Sequence, residues 1–325
     1  MEETFCSVFN TVPLEIEPGI DRDTLEYAAD IGHNLIMAID GHCPVYQVCP
    51  NNGGYTLRRT HPEDFTPCPF EIGRESMTCW AVLKGKLYIL ALPYNVADHD
   101  GAETDSCTGR LFVYTIDSDT WEERQDRIPS VTIGSFVDLV GWGDNLLVVQ
   151  DTNNETTQID PIYLGDSPPV KERWRFDAVE GSDTTFFPMD GLLHVITTRE
   201  DMQKHYVLSP RGKLVVSTIN IHVPLSLIQT HFYDRIPSSC GVLVTGITRD
   251  DTPLVGFWDS VSDDIRSYGQ PPFAVECVCP LTESTHLAKV KKSHRGGAEA
   301  KLDEAPVYCV LEIDHTAVYN EAGVL

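Results

Sequence analysis

Short apolar runs separated by turn residues dominate the chain. A turn residue or Gly followed by a strand-length hydrophobic stretch recurs as IGHNLIMAI (31–39), KGKLYILAL (84–92), WGDNLLVVQ (142–150), MDGLLHVIT (189–197) and SCGVLVTGI (239–247). With Leu35, Leu87, Leu146, Leu192 and Val242 as equivalent marks, and Leu287 as a sixth, the steps run from 45 to 59 residues. A second apolar run follows each mark: PVYQVCP (44–50), RLFVYTID (110–117), QIDPIYLG (158–165), KHYVLSP (204–210), PLVGFWD (253–259) and APVYCVLEI (305–313). Large aromatics in charged settings come next, as in DSDTWEERQDRIP and SPPVKERWRFD, and read as a further strand that packs its aromatic between sheets.

Repeats of this length, each with three or four short antiparallel strands, predict units that cannot bury both faces alone and stack on their neighbours. The expected fold is all-β: a single β-propeller of about six, or seven, four-stranded antiparallel blades spanning residues 1–325. A pair of β-sandwiches is the competing arrangement. Helical periodicity is nearly absent, with TLEYAADIG (24–32) the one stretch that suits a helix. The segment 4–16 has strand character and no partner of its own, so it is expected to close the ring with the strands of 305–320. The stretch 288–304 is expected to be a flexible loop insertion, because it combines lysines with a Gly-Gly pair and lacks apolar periodicity.

Blade 85–130, with GKLYILAL and then RLFVYTIDSDTWEERQDRIP, resembles a kelch repeat of the kelch and galactose-oxidase-like superfamily. The family's double glycine after the first of these strands is replaced here by Ala91-Leu92, and by Gln150-Asp151 and Thr197-Thr198 in later units. The resemblance implies a propeller that serves as an interaction module. It also admits an alternative, a sugar-type enzyme or binder that draws residues from loops around the central channel.

Composition narrows the partners. With 49 acidic against 24 basic residues, the net charge of −25 repels a phosphate backbone. Nucleic acid and membrane insertion are therefore not expected, and a partner with a basic surface is. No apolar run reaches the length of a membrane span, and the glutamates at 2 and 3 do not resemble an export signal. Ten dispersed cysteines without a CxxC pair are expected to be reduced thiols in a cytoplasmic protein. The Asn154-Glu155-Thr156 sequon is read as chance in that setting.

Candidate chemistry is sparse. Asp98, His99, Asp100, Glu103 and Asp105 crowd the stretch 95–109, yet their order departs from a calcium loop and reads as exposed acid. Hydrolase, zinc-protease and nucleotide-loop motifs are missing, so no catalytic residue, metal or cofactor is expected. Arg58, Arg59, Arg74, Arg235 and His231 are the side chains considered for a channel site. Lys289, Lys291, Lys292, His294 and Arg295 form a basic island in an acidic chain and are the expected partner-binding residues. The resulting expectation is a non-enzymatic interaction scaffold, a monomer within a larger hetero-complex.

Overall fold

The computed structural model describes twenty-six β-strands, the short connections 17–20, 52–53, 84–85, 117–119, 128–129 and 143–144, and residues 66, 68, 109, 164, 191 and 209. Twenty-four of the strands group into six four-stranded blades, and the remaining two pair with each other. Blade 1 is β2 (Ala28–Asp30), β3 (Leu35–Ala38), β4 (Val45–Asn51) and β5 (Gly54–Arg59). Blade 2 is β6 (Ser76–Leu83), β7 (Lys86–Pro93), β9 (Arg110–Thr115) and β10 (Thr120–Arg124). Blade 3 runs through β12 (Val137–Trp142), β13 (Asn145–Thr152), β14 (Thr156–Ile162) and β15 (Trp174–Asp177). Blade 4 holds β16 (Asp183–Met189), β17 (Leu192–Arg199), β18 (Met202–Leu208) and β19 (Leu214–Ser217). Blade 5 holds β20 (Leu227–Arg235), β21 (Gly241–Thr248), β22 (Pro253–Asp259) and β23 (Asp264–Gly269). Blade 6 combines β24 (Phe273–Pro280), β25 (Thr285–Lys292) and β26 (Val307–Ile313) with β1 (Phe9–Ile16) from the opposite end of the chain.

The first strand of each blade is innermost. β2 contacts β6, β6 contacts β12, and the series continues through β16, β20 and β24 back to β2, which makes the ring. The fold is thus an all-β six-bladed propeller.

Blade 3 is apolar on both faces, so its strands read as continuous hydrophobic runs rather than alternating ones. In blade 3, Leu146 and Val148 enter a core shared with blade 2, beside Leu90, Leu111 and Val113. Leu147 and Val149 enter the next core, with Leu193, Val195, Tyr206 and Leu208 of blade 4.

β1 joins the chain ends. Its residues 9–13 pair antiparallel with β26, and its residues 14–16 pair parallel with β5. Pro13 sits at the change of partner, where a residue without an N–H ends one ladder naturally. The chain then continues along blade 1: Glu17 donates its N–H to the carbonyl of Leu57, and the Glu17 carboxylate accepts the N–H of Arg59. Gly54 is obligatory beside this strand, since a Cβ there would lie 2.8 Å from the Pro13 carbonyl oxygen. Val12, Leu14 and Ile16 lean on a core built from Tyr46, Val48, Leu57, Leu287, Tyr308 and Val310 of blades 1 and 6.

Two expectations change. Residues 28–30 form β2 instead of part of a helix, because pairing with β3 overrides a local propensity worth only tenths of a kcal/mol per residue, about 0.7 at most. Residues 288–292 of the expected loop are strand: they lie between β24 and β26, where Ala288 and Val290 are buried, while 293–304 fall outside the described residues.

Leu57 is fully buried where blades 1 and 6 meet β1. Leu57→Ala is expected to cost about 2–5 kcal/mol in chemical unfolding, and the exposed Val82→Ala less than about 0.5 kcal/mol. Equal effects would show that this junction does not hold the ring.

Candidate functional site

The ring has two distinct faces. Turns between first and second strands lie on one, and ion pairing of Lys84 with Asp144 and donation from Trp142 Nε1 to the Gly191 carbonyl at 3.1 Å tie neighbouring turns together there. The other, here termed the crossover face, carries the second-to-third connections and the starts of the innermost strands.

Only blade 2 carries, among the described residues, a fifth and sixth strand on the crossover face. β8 (Ser106–Thr108), just before β9, pairs antiparallel with β11 (Ser130–Thr132), which lies on the passage to blade 3. This ribbon reaches from β7 to β13 and so covers the seam between blades 2 and 3. Val131 is buried and Cys107 half-buried in the core below, and burial raises the Cys107 thiol above its ordinary value. Gly109 lets the chain leave the ribbon: a Cβ there would come within 2.7–2.9 Å of Leu90, Leu92 and the Ala91 carbonyl.

In the same seam lie three buried polar side chains of blade 3. Asp160 Oδ2 accepts from Gln158 Nε2 at 2.6 Å and from Gln150 Nε2 at 3.3 Å. Gln150 and Gln158 are direct partners across β13 and β14. A buried carboxylate bridged to two amides fixes the relative position of these strands, because each polar group removed from water needs a partner.

Asp138 is the second residue of innermost strand β12, at its crossover-face end. Burial raises its carboxyl above the usual range, against the lowering effect of the Leu139 N–H, which donates to Oδ1 at 2.7 Å. On β6, burial drives the Cys79 thiol far up, and the nearby Asp138 charge adds to the rise. Taken as a whole residue, Asp138 is nevertheless only partly buried.

The connection from blade 1 to blade 2 is clamped at the β9–β10 turn. Asp119, with φ of 49°, accepts from the Thr66 N–H at 2.9 Å and the Thr66 hydroxyl at 2.7 Å. Its Oδ1 also accepts the Tyr114 hydroxyl at 2.7 Å, and Trp121 Nε1 donates to the Thr66 carbonyl. Desolvation opposes the Asp119 charge, but the bonds from Thr66 and Tyr114 outweigh it and hold the carboxyl below its ordinary value. The YTIDSDTW pattern of blade 2 is therefore a clamp on the chain between blades.

Those of the expected site residues that are described lie on separate elements. Arg58 and Arg59 lie on β5, at the outer side of blade 1, where Arg58 donates to Gln47 Oε1 at 2.7 Å. His231 and Arg235 are on innermost strand β20, and Arg74 lies outside the described residues. Lys289, Lys291 and Lys292 occupy β25, opposite Cys277, Ala274 and Phe273 of β24, whereas His294 and Arg295 lie outside the described residues. The acidic positions Asp98, His99, Asp100, Glu103 and Asp105 also lie outside them; among those described, no group of three metal-ligating side chains occurs.

A different pair was not singled out by sequence. His194 of β17 and His205 of β18 are buried on the blade 4 face opposite Leu193 and Val195, with Nδ1 and Nε2 2.8 Å apart and rings stacked at 17°. Desolvation, with a contribution from the His194 charge, lowers His205 from 6.5 to about 3.

No family model matches the sequence, and no curated protein matches it. Solved propellers do. A Trypanosoma rangeli sialidase is 11% identical with a TM-score of 0.51, the match covering 98% of this chain and 55% of that one. The SapL1 lectin, solved with alpha methyl fucoside, is 13% identical over 88% of each chain, with a TM-score of 0.46. The fucose-recognising six-bladed lectin of Aleuria aurantia is 10% identical over 73% of each chain, with a TM-score of 0.45. At these identities the likeness is one of fold.

A folded-state value below the unfolded one means that unfolding takes up a proton between about pH 3 and pH 6.5, so His205 withdraws stability as pH falls below 6.5. Unfolding free energy is expected to fall by about 2 kcal/mol from pH ~7 to ~5, and His205→Gln to flatten that dependence. An unchanged slope in the variant would contradict a neutral buried His205.

Proposed function

We propose that the protein is a non-catalytic binding propeller that takes a neutral carbohydrate or similar polyol on its crossover face. The observation that carries this reading is the β8–β11 ribbon, an addition to the minimal ring on that face alone among the described residues, anchored by Val131, Cys107 and Gly109. Four strands suffice for a blade, so ordered structure added at a rim marks a surface for recognition. A sugar suits a polar rim because its hydroxyls exchange hydrogen bonds with carboxylates and amides without requiring a countercharge. The sialidase that shares this fold was solved with a derivative of a nononic acid. A net charge of −25 disfavours such an anion here and turns the ligand class toward neutral sugars.

A second reading keeps the interaction scaffold. It is favoured by the same net charge and by the exposed Glu15, Glu17, Asp117 and Glu122, which suit a basic protein surface. The kelch resemblance of blade 2 belongs with this reading, as do a cytoplasmic setting and a place in a hetero-complex.

An array of neutral and sialylated glycans separates the two. Binding to neutral glycans that persists as salt is raised is the expected result, with sialylated ones rejected. Failure on every neutral glycan, together with salt-sensitive binding to polylysine, would replace the first reading by the second.

A further inference from the structure

We infer that Asp138 is a ligand-binding carboxyl at the crossover-face mouth of the channel, accepting hydrogen bonds from two hydroxyls of a neutral polyol. This rests on the function proposed above and names the group that would hold the ligand.

Placement is the first argument. Asp138 lies on innermost strand β12, one residue from its crossover-face start. Its neighbours Val137 and Leu139 enter the core shared with blade 2. Val140 and Trp142, the next residues of its own parity, enter the core shared with blade 4. The strand alternates, so Asp138 occupies the blade 4 side, one step nearer the mouth than Val140.

Environment is the second. Surrounding protein atoms disfavour the charge on Asp138, and its influence reaches Cys79 on β6. Yet the residue is only partly buried. Of the two oxygens, Oδ1 accepts the Leu139 N–H, and the ion pairs among the described residues do not include this carboxylate. A valine or threonine would fill this strand position without removing a charge from water. An acid kept deep but accessible, with acceptor capacity left over, is what a binding site needs and what a core does not. Hydroxyl donors approaching in a low-dielectric mouth form stronger bonds than they would at the surface.

The test compares the native chain with Asp138→Asn and Asp138→Leu, using methyl glycosides of neutral hexoses and 6-deoxyhexoses as probes in calorimetric titration. Asp138→Asn is expected to weaken binding about tenfold or more, and Asp138→Leu to abolish it. The unfolding midpoint of both variants is expected to stay level or rise, whereas a merely structural acid would lower it. Carbodiimide coupling mapped by mass spectrometry is expected to modify Asp138, with protection by the bound glycoside. Binding undiminished in Asp138→Asn, or Asp138 inert to carbodiimide, would overturn the assignment while leaving the proposed function standing. A native chain that binds none of the probes would overturn both.

Discussion

Everything in this molecule depends on closing a ring from a linear chain, and one eight-residue strand does it. β1 gives its first half to β26 and its second half to β5, so blades 1 and 6 share one eight-stranded sheet. The outer edges of those two blades are therefore not left as templates for foreign strands. The side chains of β1 facing the core are only half-buried, and the strand draws additional hold from main-chain pairing on both sides and from the contacts of Glu17. With the ends joined, each blade has a neighbour on either side, and blade 3 presses an apolar face against each. The interblade cores around Leu146, Leu147 and Leu57 follow from that.

The closed ring also fixes where chemistry can occur. Turns on one face are tied together by side chains such as Lys84, Asp144 and Trp142, which leaves the crossover face for elaboration. Blade 2 exploits this with its ribbon, which spans the seam to blade 3, while its β9–β10 turn, at the opposite end of the blade, clamps Thr66 through Asp119. Blade 3 answers with the Gln150, Gln158 and Asp160 cluster inside that seam and with Asp138 on its innermost strand.

Much of the fold was legible because the repeat is carried by second and third strands, which in blades 2 and 3 are buried on both faces. Leu35, Leu87, Leu146, Leu192, Val242 and Leu287 each fall on the second strand of a different blade. Innermost strands were harder to read, since their partners vary. The stretch around Ala28–Asp30 looked helical locally and becomes strand only through pairing with β3. Lysine density suggested a loop at 288–292, yet buried Ala288 and Val290 alternate with those lysines in an ordinary strand. The candidate site was least visible. An Asp in SFVDLVGW resembles any solvated acid, and only the topology places it at the crossover-face end of an innermost strand. His194 and His205, eleven residues apart, meet because β17 and β18 form a hairpin with a diagonal register.

The most direct test of the account is a crystal structure of the chain soaked with neutral methyl glycosides. Sugar density on the crossover face, within hydrogen-bonding distance of Asp138, is the predicted result. Sugar bound only at the rim or on the opposite face, or no sugar at saturating concentration, would contradict it.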